Sequence, residues 1–143
     1  MKTVDRSAIV TYTPEQMFHL VNDIDRYATF LPWCSASKAI VQPDQTVQGE
    51  LVINKAGIVK SFTTVNTLHA PDRIDMHLLN GPFKSLSGQW LFEPLGETGC
   101  KVRLVLNFEL EYGWMGRMLA KVFEGIANNL VNAFCQEAKR RYD

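Results

Sequence analysis

Hydrophobic positions along this chain follow two periods. Between residues 35 and 111 they recur in short runs that alternate with polar residues. From 115 to 138 they recur at helical spacing, through Met115, Leu119, Val122, Phe123, Ile126, Leu130, Ala133 and Phe134. The clearest alternation lies in 100–111. Val102, Leu104, Leu106, Phe108 and Leu110 share one side; Lys101, Arg103, Asn107, Glu109 and Glu111 share the other, with Val105 the exception. That pattern belongs to an antiparallel sheet covered on one face only. Further strands are predicted at 7–12, 35–42, 46–54, 58–69, 73–79 and 86–93. The turn formers Pro43-Asp44-Gln45, Lys55-Ala56-Gly57, Ala70-Pro71-Asp72, Asn80-Gly81-Pro82 and Gly96-Glu97-Thr98-Gly99 separate them.

Two short helices follow the first strand. Thr13 can cap, Pro14 suits the first helical position, and Gln16 completes a capping box; Met17, Phe18, Leu20 and Val21 then carry the helix to about Asn22. Asp23-Ile24-Asp25 restarts a short helix with Tyr27, Phe30 and Leu31, which Pro32 ends. The order is therefore one strand, two short helices, about six strands and a long closing helix. Strands far outnumber crossover helices, so the class is α+β. A curved antiparallel sheet of about seven strands wraps around the C-terminal helix, the helix-grip arrangement, in a single domain spanning 1–143. Such a helix either fills the concave face of the sheet or roofs a cavity.

Charge narrows the function classes. Fifteen basic and fifteen acidic side chains cancel, which argues against a dedicated nucleic-acid binder and against specific DNA binding. The one dense basic run, Lys139-Arg140-Arg141, suits a helix C-terminus. The first residues lack the apolar core of a signal peptide, and no apolar run is long enough to span a bilayer. Cys34, Cys100 and Cys135 are odd in number and share no metal-ligand spacing. Free thiols in a reducing cytoplasm are expected, with Cys34 beside Trp33 the one considered for reactivity.

Little in the sequence points to catalysis. His19, His69 and His77 lie at no metal-ligand spacing, and nucleophile elbow, phosphate loop and dinucleotide fingerprint are all missing. No catalytic residue and no metal is assigned. An enzyme would need an acid–base group in the cavity, for which Glu50, His77 and Glu93 are the candidates. Three rigid corners present aromatic side chains: Leu31-Pro32-Trp33-Cys34, Asn80-Gly81-Pro82-Phe83-Lys84 and Tyr112-Gly113-Trp114-Met115-Gly116, the last with Met118 nearby. Each reads alone as core or hinge, and jointly they read as a pocket mouth. Gly125 and Asn128-Asn129 interrupt a helix that stability alone would fill with Ala or Leu. The Asn129 amide either meets a ligand carbonyl or faces solvent, while Cys135 falls on the polar face. The candidate cavity lining is Phe30, Trp33, Leu51, Ile53, Phe62, Phe83, Trp90, Phe92, Leu104, Leu106, Phe108, Met118, Leu119, Val122, Ile126, Asn129 and Leu130.

Two motifs resemble a known family. Leu20-Val21-Asn22-Asp23-Ile24-Asp25-Arg26-Tyr27 followed by Phe30-Leu31-Pro32-Trp33-Cys34 resembles the opening motif of the coenzyme Q-binding, START-like family. Gly81-Pro82-Phe83-Lys84, with Leu86, Gly88, Trp90 and Phe92, resembles its second motif, and the helix from Phe123 to Phe134 is similar too. Lys55-Ala56-Gly57-Ile58, with Lys60 and Phe62-Thr63-Thr64, looks most like the bacterial branch of ribosome association toxins. The resemblance implies a helix-grip fold with a hydrophobic cavity and no catalysis. One branch is known for binding ubiquinone and supporting respiration; the bacterial branch is described as binding the large ribosomal subunit and blocking subunit joining. Polyketide cyclases share the fold, but fold alone does not transfer function. The leading expectation is a non-enzymatic binder of ubiquinone or a similar prenyl lipid. It needs no cofactor and sits in the cytoplasm, with transient contact at the inner membrane. The alternative is association with the large ribosomal subunit through a patch such as Lys55, Lys60, Lys84 and Lys121.

Overall fold

The computed structural model describes residues 1–111 and 113–143, the side chains of Trp114 and Met115 excepted, so the central part of the third aromatic corner and the first residue of the helical stripe lie outside the described residues. The elements are β1 (Lys2–Val10), α1 (Pro14–Asn22), a 3₁₀ turn (Ile24–Arg26), α2 (Tyr27–Phe30), β2 (Cys34–Val41), β3 (Thr46–Lys55), β4 (Ile58–His69), β5 (Arg73–Asn80), β6 (Phe83–Leu95), β7 (Gly99–Leu110) and α3 (Trp114–Tyr142). The seven strands form one sheet in the order β1-β7-β6-β5-β4-β3-β2, and each neighbouring pair is antiparallel. This is the helix-grip architecture, with α3 lying in the concave face.

Local chemistry sets several boundaries. Thr13 Oγ1 accepts from the Gln16 amide at 3.2 Å, and Gln16 Oε1 accepts from the Thr13 amide at 2.8 Å, so α1 begins at Pro14 as its capping box predicts. β1 starts five residues earlier than its hydrophobicity suggests. Lys2–Val10 runs the length of β7, from Phe108 to Cys100, although Val4 is its one fully buried side chain. A polar edge strand carries little alternation to read, and backbone pairing extends it. β6 likewise begins at Phe83, because pairing with β7 continues to Leu110 past an irregularity at Phe83/Ser85.

The core divides into two aromatic clusters joined by the inward side chains of β6 and β7. Phe83 and Phe108 each lie 4.8 Å from Phe123, and Phe62 packs 5.5 Å from Phe83, all edge to face. Gly81, at φ +151°, permits this turn: a Cβ there would come within 2.6 Å of Phe62 Cβ. The Asn80–Lys84 corner therefore seats Phe83 in the core, 4% exposed, rather than at a pocket mouth. The second cluster gathers Tyr27, Phe30, Trp90 and Phe134, with centroids 5.2–5.5 Å apart around Phe134.

The buried arc of α3 is wider than the predicted stripe, since Ala127, Val131, Glu137 and Ala138 are also buried. Cys135 is half-buried and packs against the core rather than on a polar face, because α1 also packs on α3. In the last turn Glu137, 3% exposed, accepts from Arg140 Nε and Nη2 at 2.8 and 2.7 Å and from Arg141 Nε at 2.6 Å. Arg141 Nη1 reaches Asp23 at 3.2 Å and the guanidinium lies over the Phe30 ring. The basic run thus clamps the C-terminal end of α3 to the α1 junction.

Candidate functional site, a cavity between the sheet and the long helix

Inward positions of β3 to β7 face α3 across a cavity of about 80 Å³. Leu51, Phe62, Met76, Leu86, Trp90, Leu104 and Leu106 line it from the sheet, and Phe123, Ile126, Ala127 and Leu130 from α3. Ile24, Tyr27 and Trp33 close one side. Its polar end is formed by Gly49, Thr64 and Asn66. Thr64 stands opposite Gly49 in the β3–β4 ladder, and Thr64 Oγ1 donates to Asn66 Oδ1 at 2.8 Å.

Of the predicted lining residues, the structure brings Trp33, Leu51, Phe62, Trp90, Leu104, Leu106, Ile126 and Leu130 together around this cavity. Ile53, Phe83, Phe92, Phe108 and Leu119 are buried but pack into core instead. Phe92, for example, meets Phe18 of α1 at 5.7 Å, away from the cavity. Phe30 stacks on Phe134 and under Arg141, and Val122 is half-buried against the core. Met118 is 45% exposed. Asn129 is exposed, and its Nδ2 donates to Gly125 O at 2.8 Å, so the amide is tied to its own helix rather than offered to the cavity.

Sequence reasoning missed Gly49, Thr64 and Asn66. A signal existed: Phe62, Thr64, Asn66 and Leu68 share one parity of β4, and two polar residues interrupt an inward row. Thr64 is also a β-branched residue that any strand favours, which hides the signal. The Leu31–Cys34 corner reaches the cavity through Trp33 and the Asn80–Lys84 corner does not, while Tyr112, Trp114 and Met115 of the third lie outside the described side chains. Trp33, Ile126 and Leu130 also line an outer groove of about 340 Å³ with Leu31, Pro32, Asn54, Lys55, Gly125, Asn129 and Ala133, so they partition the two spaces.

The electrostatics are quiet. Tyr27 OH donates to the Val21 carbonyl, and burial, followed by Cys34 and Asp23, pushes its phenol far above the ordinary range. Burial also raises the Cys34 thiol, which is 4% exposed and donates to Ala36 O at 3.3 Å, so Cys34 is not a poised thiolate. Glu50, His77 and Glu93 are exposed and line no part of the cavity. Among the described residues, no cluster of His, Cys, Asp or Glu could hold a metal ion.

An antiparallel sheet gripping one long helix, with an apolar cavity between them, defines a class of ligand-binding and cyclase folds rather than one activity. Residues 10–135 match the family described as polyketide cyclase / dehydrase and lipid transport, and the chain belongs to that family. Within it, the chain is 46% identical to the ribosome association toxin RatA of Vibrio cholerae over 142 residues, covering 99% of each chain. A more distant relative is the mitochondrial coenzyme Q-binding protein of Drosophila melanogaster, 24% identical, with 95% of this chain matching 58% of that one. The fold also superimposes on a START superfamily protein from Mycobacterium smegmatis with a TM-score of 0.81 at 20% identity, covering 96% of this chain and 97% of that one.

Proposed function

We propose that this protein binds a hydrophobic small molecule of the prenylquinone class, such as ubiquinone, between its sheet and α3, and acts without catalysis. The cavity lining carries the reading. Among the described residues it contains no Asp, Glu, His, Lys or Arg, and the one titratable group there, Tyr27, is tied to a backbone carbonyl and held protonated. General acid–base chemistry would need such a group at the reacting atoms, whereas ligand recognition needs what is present: apolar walls with a few polar atoms.

The cavity is small for a quinone ring. Cavities of about 150 Å³ are known to hold benzene, so the walls must part to admit a substituted ring. The Trp33, Ile126 and Leu130 partition supplies the route: turning Trp33 aside joins the cavity to the outer groove. A prenyl tail would then lie along Leu31, Pro32, Leu130 and Ala133. Each methylene removed from water contributes roughly 0.8 kcal/mol, which makes a protein-held tail far more favourable than a free one. No helix among the described residues is long and apolar enough to cross a membrane. On this reading loading proceeds by transient contact at the inner-membrane surface from the cytoplasm. Native mass spectrometry of untagged protein from its own host, followed by organic extraction, tests this. Stoichiometric prenylquinone is expected. An empty protein that takes up no added quinone would overturn the reading.

A second reading is association with the large ribosomal subunit and block of subunit joining; that the 46% identical relative is named a ribosome association toxin favours its coarser part, association with the ribosome. The strand register supports it by carrying Lys55, Lys60 and Lys84 to one end of the sheet; these and Lys121 are exposed. Binding through such a patch weakens steeply with salt. Co-sedimentation with large subunits at low salt, lost on Lys55→Glu/Lys60→Glu, is the expected result. Absence of co-sedimentation at low salt would remove this reading.

A further inference from the structure

Thr64 and Asn66 occupy inward positions of β4 and are 8% and 6% exposed. The same row holds Phe62 and Leu68, and Asn66 pairs with Val47 on one side and Met76 on the other. A buried amide on an otherwise apolar face is unfavourable unless its hydrogen bonds are made. Leucine or valine would serve stability better at either site, so packing alone does not account for them.

Their arrangement does. The Thr64 hydroxyl donates to Asn66 Oδ1 at 2.8 Å. That bond occupies the amide oxygen and turns the NH₂ group away from Thr64 as a fixed donor. Opposite stands Gly49. A Cβ built there would lie 3.6 Å from Asn66 Nδ2, 3.7 Å from Thr64 Oγ1 and 2.9 Å from Ile24 Cδ1. Gly49 therefore makes room for the end of Ile24 and leaves no side chain between it and the amide nitrogen, and its φ lies outside the left-handed region, so no turn geometry requires the glycine. Both polar residues and the glycine line the cavity.

We infer that Gly49, Thr64 and Asn66 form a hydrogen-bonding seat for a carbonyl oxygen on the ring of the bound molecule, with Asn66 Nδ2 as donor and Thr64 holding the amide in that orientation. The seat selects an apolar molecule bearing a ring ketone, as a quinone does, over a hydrocarbon of the same shape. This rests on the cavity being the ligand site, and it adds which end of the cavity receives the head group.

Two probes separate the two ideas: decyl-1,4-benzoquinone and decylbenzene, which differ in their ring carbonyls. Binding of each to the full chain is measured by equilibrium gel filtration with extraction and quantification. The wild-type protein is expected to prefer the quinone about tenfold, the equivalent of one or two net hydrogen bonds. Asn66→Leu and Thr64→Val should bring the preference for the quinone over decylbenzene to within about twofold. Thermal melts of both variants check that they fold, and the two substitutions guard against a defect peculiar to either. Equal binding of both probes by the wild type, or a preference that survives Asn66→Leu, would overturn the seat and leave the cavity reading standing. Failure of the wild type to bind either probe would overturn both.

Discussion

The two halves of the sheet present opposite solutions to the same helix. On β6 and β7 the inward row, Gly88 apart, is large and apolar: Leu86, Trp90 and Phe92, then Val102, Leu104, Leu106 and Phe108, all 6% exposed or less. On β3 and β4 the inward row contains Gly49, Thr64 and Asn66 among its apolar members. Both rows obey the two-residue period of a strand and both reach the cavity, the first with the large apolar side chains of Leu86, Trp90, Leu104 and Leu106, the second with the small or polar Gly49, Thr64 and Asn66 beside Leu51 and Phe62. Alternation decides which side chains point inward. Side-chain volume and polarity at those positions decide whether the result is core or site.

The largest test breaks the filled half. Phe108→Ala removes a fully buried ring from between Phe83 and Phe123 and should cost about 3–5 kcal/mol in urea unfolding. A loss below about 1 kcal/mol would mean that this half is no better packed than the other. The clamp on the end of α3 comes next. Arg140, opposed by burial and reinforced by Arg141, holds the Glu137 carboxyl down at about 2 from its ordinary 4.5. The folded value lies below the unfolded one, so this stabilisation is fully present above about pH 4.5 and is lost as pH falls through about 2. Glu137→Gln should cost about 1–2 kcal/mol at pH 7, the exposed Arg140 partner being screened by solvent, and flatten the acid limb between those values, as read by unfolding at several pH values. An unchanged acid limb would assign acid sensitivity to other carboxylates.

The smaller effects fall on the open half. Gly49→Ala should cost about 1 kcal/mol or less, because the nearest atom is the movable end of Ile24, yet it should reduce quinone uptake by filling the space beside Asn66. Full uptake by this variant would place the ring elsewhere in the cavity. Trp33→Ala should change stability by about 1–2 kcal/mol and speed uptake in stopped-flow loading, because Trp33 divides the cavity from the outer groove. An unchanged loading rate would remove Trp33 as the gate. Asn66→Leu is expected to be neutral or stabilising by up to about 1 kcal/mol, as apolar replacements at ligand sites often are. If it instead destabilises by more than about 2 kcal/mol, Asn66 is structural.

Much of this protein was legible in its sequence because the relevant signals are local. The capping box Thr13–Gln16, the alternation of β7 and the helical stripe of α3 each depend on residues within a few positions of one another. Antiparallel pairing and helix-grip architecture followed from the order of those elements, and the two motifs then supplied the family. The site was only half legible. Hydrophobicity selects buried positions without distinguishing those facing the cavity from those facing another core residue. Phe92 and Leu104 are both inward and both buried, but Phe92 meets α1 while Leu104 meets the cavity. Met118 and Asn129, chosen for character and spacing, fall on the exposed side of α3.

Sequence by itself thus determined the elements, their order and the apolar character of the interior, since these follow from backbone propensity and side-chain period. Tertiary structure decided the start of β1, the half-burial of Cys135 and the meeting of Gly49, Thr64 and Asn66 at one end of a cavity. Those outcomes depend on pairing and packing between residues distant in the chain, and no local pattern encodes the space that such packing leaves unfilled.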